Sequence, residues 1–168
     1  GGRIPIFCDT TSCTHTLLFE TGGDILTPEN REKYKQLKIM DITQWLKEVV
    51  LPRIKVIRPK NRILLHPTCS CQIMGLTPVL LDIARKCARE VILPDNWGCC
   101  GASGDRGFIF PELSDSATRD ERDEIGHESF DGCYSLARTC EIAMQDHIEQ
   151  PYESIVYLVD ETIQDQGT

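Results

Sequence analysis

The sequence predicts an α/β fold: a mainly parallel sheet of about five short strands, with helices on both faces. Short apolar runs bounded by Gly, Pro and polar residues alternate with stretches of helical apolar periodicity, the pattern of strand–helix–strand units. The strand-like runs are nearly continuous in apolar residues, as strands buried on both faces are. The breaks between them carry turn residues and helix caps.

The first run, residues 4–8, ends at Asp9-Thr10-Thr11-Ser12, a strand feeding a polar loop with a helix starting near Ser12. Gly22-Gly23 breaks the pattern, and Thr27-Pro28 supplies an N-cap followed by proline at the first helical position. Residues 38–40 read as a brief strand. Asp41 then caps a helix carrying Ile42, Trp45, Leu46, Val49 and Val50 and ending by Pro52. A linker rich in Pro, Lys and Arg spans residues 56–62, and residues 63–66 form a third strand before the turn Pro67-Thr68-Cys69-Ser70-Cys71.

Thr77 is expected to cap a helix with Pro78 at its first position and an apolar stripe at Leu80, Ile83, Ala84 and Cys87. Residues 90–94 give a fourth strand, a Gly-rich loop continues to residue 110, then a charged helix. Residues 132–136 make the fifth strand, and helices cover residues 141–148 and 154–164. The arrangement is Rossmann-like, and in such sheets ligands gather outside the carboxyl ends of the strands. Four of the five strands lead into cysteine-bearing segments, with Cys8 and Cys13, Cys69 and Cys71, Cys99 and Cys100, and Cys140, so a parallel sheet gathers those groups at one rim.

The chain has 168 residues, 18 Lys+Arg against 26 Asp+Glu and 40% hydrophobic residues, which suits one soluble domain over residues 4–168. Residues 1–3 read as a cloning scar or linker. A net charge of -8 argues against nucleic acid or an anionic membrane as partner. No run approaches the roughly 18 apolar residues of a membrane span, and no signal-peptide core is present, so the expected location is cytoplasmic. Nine cysteines cannot all pair within the chain, and in a cytoplasmic protein they point to metal or redox chemistry.

The sharpest local signal is Gly98-Cys99-Cys100-Gly101-Ala102-Ser103-Gly104-Asp105-Arg106-Gly107, with a glycine at every third position beside adjacent thiols. Glycines there permit positive φ and let amide N–H groups face an anionic centre. Adjacent side chains diverge, which suits several iron atoms of a cluster better than one tetrahedral zinc. Cys69, beside His66, is a second anchor. Cys140 at a helix start and Cys13 after the first strand are further candidates. Cys87, Cys133 and Cys8 read as core, and Cys71 as a bystander. The ten Lys/Arg of residues 31–62 and the eight acids of residues 112–132 read as two solvated faces. No flavin or nucleotide fingerprint appears.

His66-Pro67-Thr68-Cys69, Cys99-Cys100-Gly101 and Cys140 resemble the cysteine-rich CCG domain of heterodisulfide reductase, the glycolate oxidase iron-sulfur subunit and the lactate-utilisation iron-sulfur protein. Asp9 to Cys13, Asp105-Arg106-Gly107, Pro111-Glu112-Leu113 and Ser135 to Glu141 are similar to the C-terminal region of FAD-linked D-lactate dehydrogenases of the cytochrome type. The resemblance runs from Ile4 to Ile163. It implies a piece of a larger flavoprotein, whose flavin domain would carry FAD and oxidise a D-2-hydroxy acid while a ferredoxin-like domain relays electrons.

It also implies an iron-sulfur cluster of the 4Fe-4S type here, a quinone or cytochrome-linked acceptor, and peripheral association of the whole enzyme with the inner face of the membrane. The implied ligands are Cys13, Cys69, Cys99, Cys100 and Cys140. Amides around Gly101 and Gly104 would donate to sulfur, and Arg106 and Arg138 would offset negative charge. Ala143 stands where the family has the second cysteine of a terminal Cys-x-x-Cys. The alternatives are a metal-free thiol–disulfide relay through Cys99 and Cys100, and a structural docking module holding zinc.

Overall fold

The computed structural model describes residues 3–21 and 25–163. The expectations for Gly1-Gly2, for Gly22-Gly23 and for a last helix reaching Gln164 lie outside the described residues. In chain order the elements are β1 (Ile6–Cys8), α1 (Thr11–His15, continued as a π-helix over Thr16–Glu20), α2 (Pro28–Tyr34), β2 (Ile39–Asp41) and α3 (Ile42–Trp45, continued as a π-helix over Leu46–Val50). Next come β3 (Lys60–Leu65), α4 (Cys69–Ile73), α5 (Thr77–Cys87), β4 (Ala88–Ile92), α6 (Arg106–Ile109) and α7 (Pro111–Ile125). The chain closes with β5 (Cys133–Ser135), α8 (Arg138–Ile148), β6 (Tyr152–Ser154) and α9 (Ile155–Thr162).

The fold is α/β with parallel sheets, as expected, but the strands divide between two of them. Among the described residues β1 pairs only with β2, while β4-β3-β5-β6 form a four-stranded sheet. β6 is a strand the periodicity does not reveal. It has three residues and runs straight into α9, whose cap Ser154 accepts from the Val156 N–H at 3.3 Å.

β3 sits inside the sheet, and the pleat sends its side chains alternately to two cores. Ile63 and Leu65 join the cluster of Leu80, Ile83, Leu158 and Ile155 from α5 and α9. Leu64 joins Met144, Ile148, Cys133 and Tyr152 on the α7 and α8 side. All three β3 residues are 0% exposed, each burial stabilising by roughly 1.5–3 kcal/mol. Cys87 and Cys133 lie in these cores as expected, and so does Cys71, whereas Cys8 on the outlying β1 is half-buried.

Side-chain caps start four of the nine α-helices among the described residues, α2, α3, α4 and α9. Thr27 accepts from Asn30 N–H with Pro28 at the first position of α2. Asp41 forms a capping box: its Oδ1 accepts from the Thr43 N–H at 2.9 Å and the Thr43 hydroxyl at 2.6 Å, while the Gln44 side chain accepts from the Asp41 N–H. The expectation for Thr77 is corrected: the cap position of α5 is Leu76, and the Thr77 hydroxyl lies 3.9 Å from Cys71 Sγ instead. Because Asp41 and Thr43 are both fully buried, Asp41→Ala is expected to cost about 1–2 kcal/mol, read as a lower urea midpoint.

Candidate redox site

β3 lies between β4 and β5. The chain leaves it toward β4 on one side and leaves β5 toward β6 on the other. The carboxyl ends of β3 and β5 therefore flank the point where strand order reverses, the usual ligand crevice of such sheets. His66 to Cys69 come after β3, Leu136 to Cys140 after β5, and the segment carrying Cys99 and Cys100 after β4. The β1 loop is tied to the same rim, because Thr11 N–H donates to the Leu136 carbonyl at 3.2 Å.

Four of the five sequence-predicted thiols meet there. Thr68 caps α4 by accepting from the Cys71 N–H at 3.2 Å, which sets Cys69 at the first position of α4 with its side chain exposed. The Cys69 thiol contacts that of Cys99, Cys99 contacts Cys100, and Cys100 Sγ stands 2.9 Å from Cys140 Sγ. Cys100 and Cys140 are buried, whereas Cys69 and Cys99 open to solvent. Cys13 is exposed on α1, which packs against α4, and it joins none of these contacts.

Backbone amides reach three of the sulfurs, one of them from a glycine. Gly101 N–H donates to Cys99 Sγ at 3.4 Å, Ala102 N–H serves Cys100, and Ser70 N–H serves Cys69. Gly101 needs its glycine twice over: φ is +75°, and a Cβ would stand 2.6 Å from the Leu113 carbonyl oxygen and 2.7 Å from Ser114 Cα. The Cys-Cys segment is thereby pressed onto the start of α7. Gly104 also has positive φ, at +74°, but with open space around it. Arg106 is exposed at the start of α6. Arg138 is 71% exposed and pairs with buried Glu141 at 3.1 Å, so its charge goes first to that carboxylate. The two also line an open cavity of about 500 Å³ with Asp9, Glu153 and Tyr157.

Crowding and burial raise three of the four thiols, Cys69, Cys99 and Cys100. The Cys100 thiol raises Cys99 well above the ordinary range, with burial adding to it. The Cys140 thiol, then burial, pushes Cys100 up to about 12. Burial, then the Cys99 charge, raises Cys69. An all-sulfur donor set suits soft, thiophilic metals and iron-sulfur clusters. The contacts run pairwise from Cys69 to Cys140 rather than closing a cage, and among the described residues no three His, Cys, Asp or Glu side chains are arranged to hold a metal ion.

Sequence reading missed the pair behind this rim. His66 Nδ1 lies 2.9 and 3.1 Å from the two carboxylate oxygens of Glu121, with both side chains 1% exposed. Glu121 belongs to the acidic run expected to be a solvated face. Its place in the i, i+4, i+7 row of Ser114 and Thr118 was the available signal.

Gly101→Ala is expected to destabilise by more than about 1 kcal/mol and to speed alkylation of Cys100, both read on the metal-free protein. Burial also pushes Cys71 and Cys133 up to about 12 from an ordinary 9.0. Raised thiols stabilise the native state fully below the unfolded value, and that stability is lost as pH climbs from about 9 toward about 12. The urea midpoint should therefore fall across that window, and fall less in Cys133→Ala. No protein-family model matches this chain, and no curated protein matches it.

Proposed function

We propose that this chain is an iron-sulfur electron-transfer module of the CCG type, working within an FAD-linked D-2-hydroxy-acid dehydrogenase of the D-lactate kind. The observation that carries it is the meeting of Cys69, Cys99, Cys100 and Cys140 at the switch point of the sheet, with backbone amides aimed at three of the sulfurs. When bound, a 4Fe-4S cluster supplies a reversible one-electron store. The chain's own residues do the rest.

The four cysteines would hold the metal as thiolates, their protons released to water. The Ser70, Gly101 and Ala102 amides stabilise negative charge on sulfur and so favour the reduced state. The buried walls around Cys100 and Cys140 exclude water, while exposed Cys69 and Cys99 face the partner side. On this reading flavin and ferredoxin-like domains supply the electrons and a quinone or cytochrome-linked acceptor takes them, at the cytoplasmic face of a membrane. Among the described residues no helix is long and apolar enough to cross one.

A metal-free thiol–disulfide relay is the second reading, favoured by one distance. Cys100 and Cys140, at 2.9 Å, are the pair poised to exchange protons and electrons for a bond, rather than Cys99 and Cys100. Anaerobic reconstitution with iron and sulfide separates the two. The first expects about four irons per chain and a broad visible absorption that bleaches on reduction, with iron content reduced several-fold in Cys100→Ser. Iron bound equally by wild type and Cys100→Ser overturns the ligand assignment. No iron, with two thiols lost on mild oxidation, establishes the relay instead.

A further inference from the structure

A groove lies between the two sheets. Part of its lining comes from β1 and the residues after it, with Ile42 and Trp45 of α3, and part from the end of β6 and from α9. Two cavities of about 500 and 490 Å³ make it up, and they share Asp9, Ser154 and Tyr157. Each has the size of a small-molecule site. None of the cysteines lines either cavity, so the groove is separate from the thiol array.

The groove is acidic from end to end. Glu141 and Glu153 line the first cavity, Asp160 lines the second, and Asp9 belongs to both, while Arg138 is the one Lys or Arg in either lining. Glu141 is the carboxylate that solvent does not serve: its side chain is 5% exposed, and Arg138 donates to its Oε2 at 3.1 Å. Among the described residues its Oε1 accepts no hydrogen bond. A buried carboxylate with an unused oxygen is costly unless a donor or a cation meets it. A cation seated in the cavity that Glu141 lines supplies what the chain does not.

The second cavity selects the kind of cation. Phe7 and Trp45 stack there with ring centroids 4.7 Å apart and planes 15° apart, and Phe7 and Tyr157 are each about half exposed. Aromatic faces attract ammonium groups and cover methylene chains. Hard metal cations instead take a close set of oxygen ligands, which a wall of Phe7, Trp45, Ile42 and Val156 does not offer.

We propose that this groove binds a linear aliphatic diamine or polyamine. One ammonium group lies at Glu141 and Glu153, another at Asp160, and the methylene chain between them runs along the aromatic side chains. A monoamine satisfies one half of the groove, whereas a dication satisfies both. The inference does not rest on the electron-transfer reading and holds for the chain without metal.

The test is isothermal titration calorimetry of the chain with 1,4-diaminobutane at about 0.15 M salt, where diffuse attraction to an acidic surface is screened. One diamine per chain should bind saturably, with n-butylamine weaker by about tenfold. Glu141→Gln and Asp160→Asn should each weaken the diamine by about tenfold. Asp82→Asn removes an equal charge beside Lys47, away from the groove, and should leave binding unchanged. Asp160 is exposed, so Asp160→Asn carries the test if Glu141→Gln fails to fold. The inference is overturned by the absence of saturable binding, by equal weakening in Asp82→Asn, or by magnesium ion binding as tightly as the diamine. Tighter binding of a lysine-rich peptide than of the diamine also overturns it and assigns the groove to a polypeptide.

Discussion

The parallel pairing of β3 between β4 and β5 is the constraint on which the site depends. Three residues of β3 are sealed in two cores, so its direction and register are fixed, and the residues from His66 onward must emerge at one rim. Because its neighbours run the same way, the segments after β4 and β5 emerge there too. Crossover helices then occupy both faces, which is why α5 and α9 cover one side and α7 and α8 the other. The cysteines are far apart in sequence and meet only because these three strands share a direction.

At that rim electrostatics works against the thiols and for a group that binds them. A neighbouring sulfur and burial together raise Cys69, Cys99 and Cys100 above the ordinary thiol range. The same amides that would steady thiolates are already oriented, because Gly101 and the cap at Thr68 fix the backbone. A soft cation or a sulfur–sulfur bond relieves the crowding, whereas a solitary reactive thiolate is the state this geometry disfavours.

Much of the fold was legible because its signals are local. Asp41 and Thr27 announce their helices by side chains that reach only two or three residues ahead, and the α5 stripe buries Leu80, Ile83, Ala84 and Cys87 as its spacing requires. The expectation for Thr77 failed because its hydroxyl lies toward Cys71, a tertiary neighbour invisible to local pattern. The split into two sheets comes from pairing, which no run of three residues encodes. Within the site, the thiols were legible by their chemistry, and Cys99 and Cys100 by their glycines. Glu121 was not: its run is acidic throughout, and what distinguishes it is burial against His66, fifty-five residues away.

Ala143 bears on how many sulfurs the rim can bring together. It lies on the inward face of α8, three residues beyond Cys140, in the cluster that also holds Cys100, Cys133 and Met144. A thiol at that position would stand one helical turn from Cys140 on the same face. With alanine there, the near side of α8 presents one sulfur. Cys13 stands apart from these contacts on α1, an element that packs on α4 and is tied to β5's carboxyl end by the Thr11–Leu136 hydrogen bond. Any approach of Cys13 to the other four thiols is therefore tied to how the β1–β2 unit seats on the four-stranded sheet, whereas the contacts from Cys69 to Cys140 are built from β3, β4, β5 and the segments at their carboxyl ends.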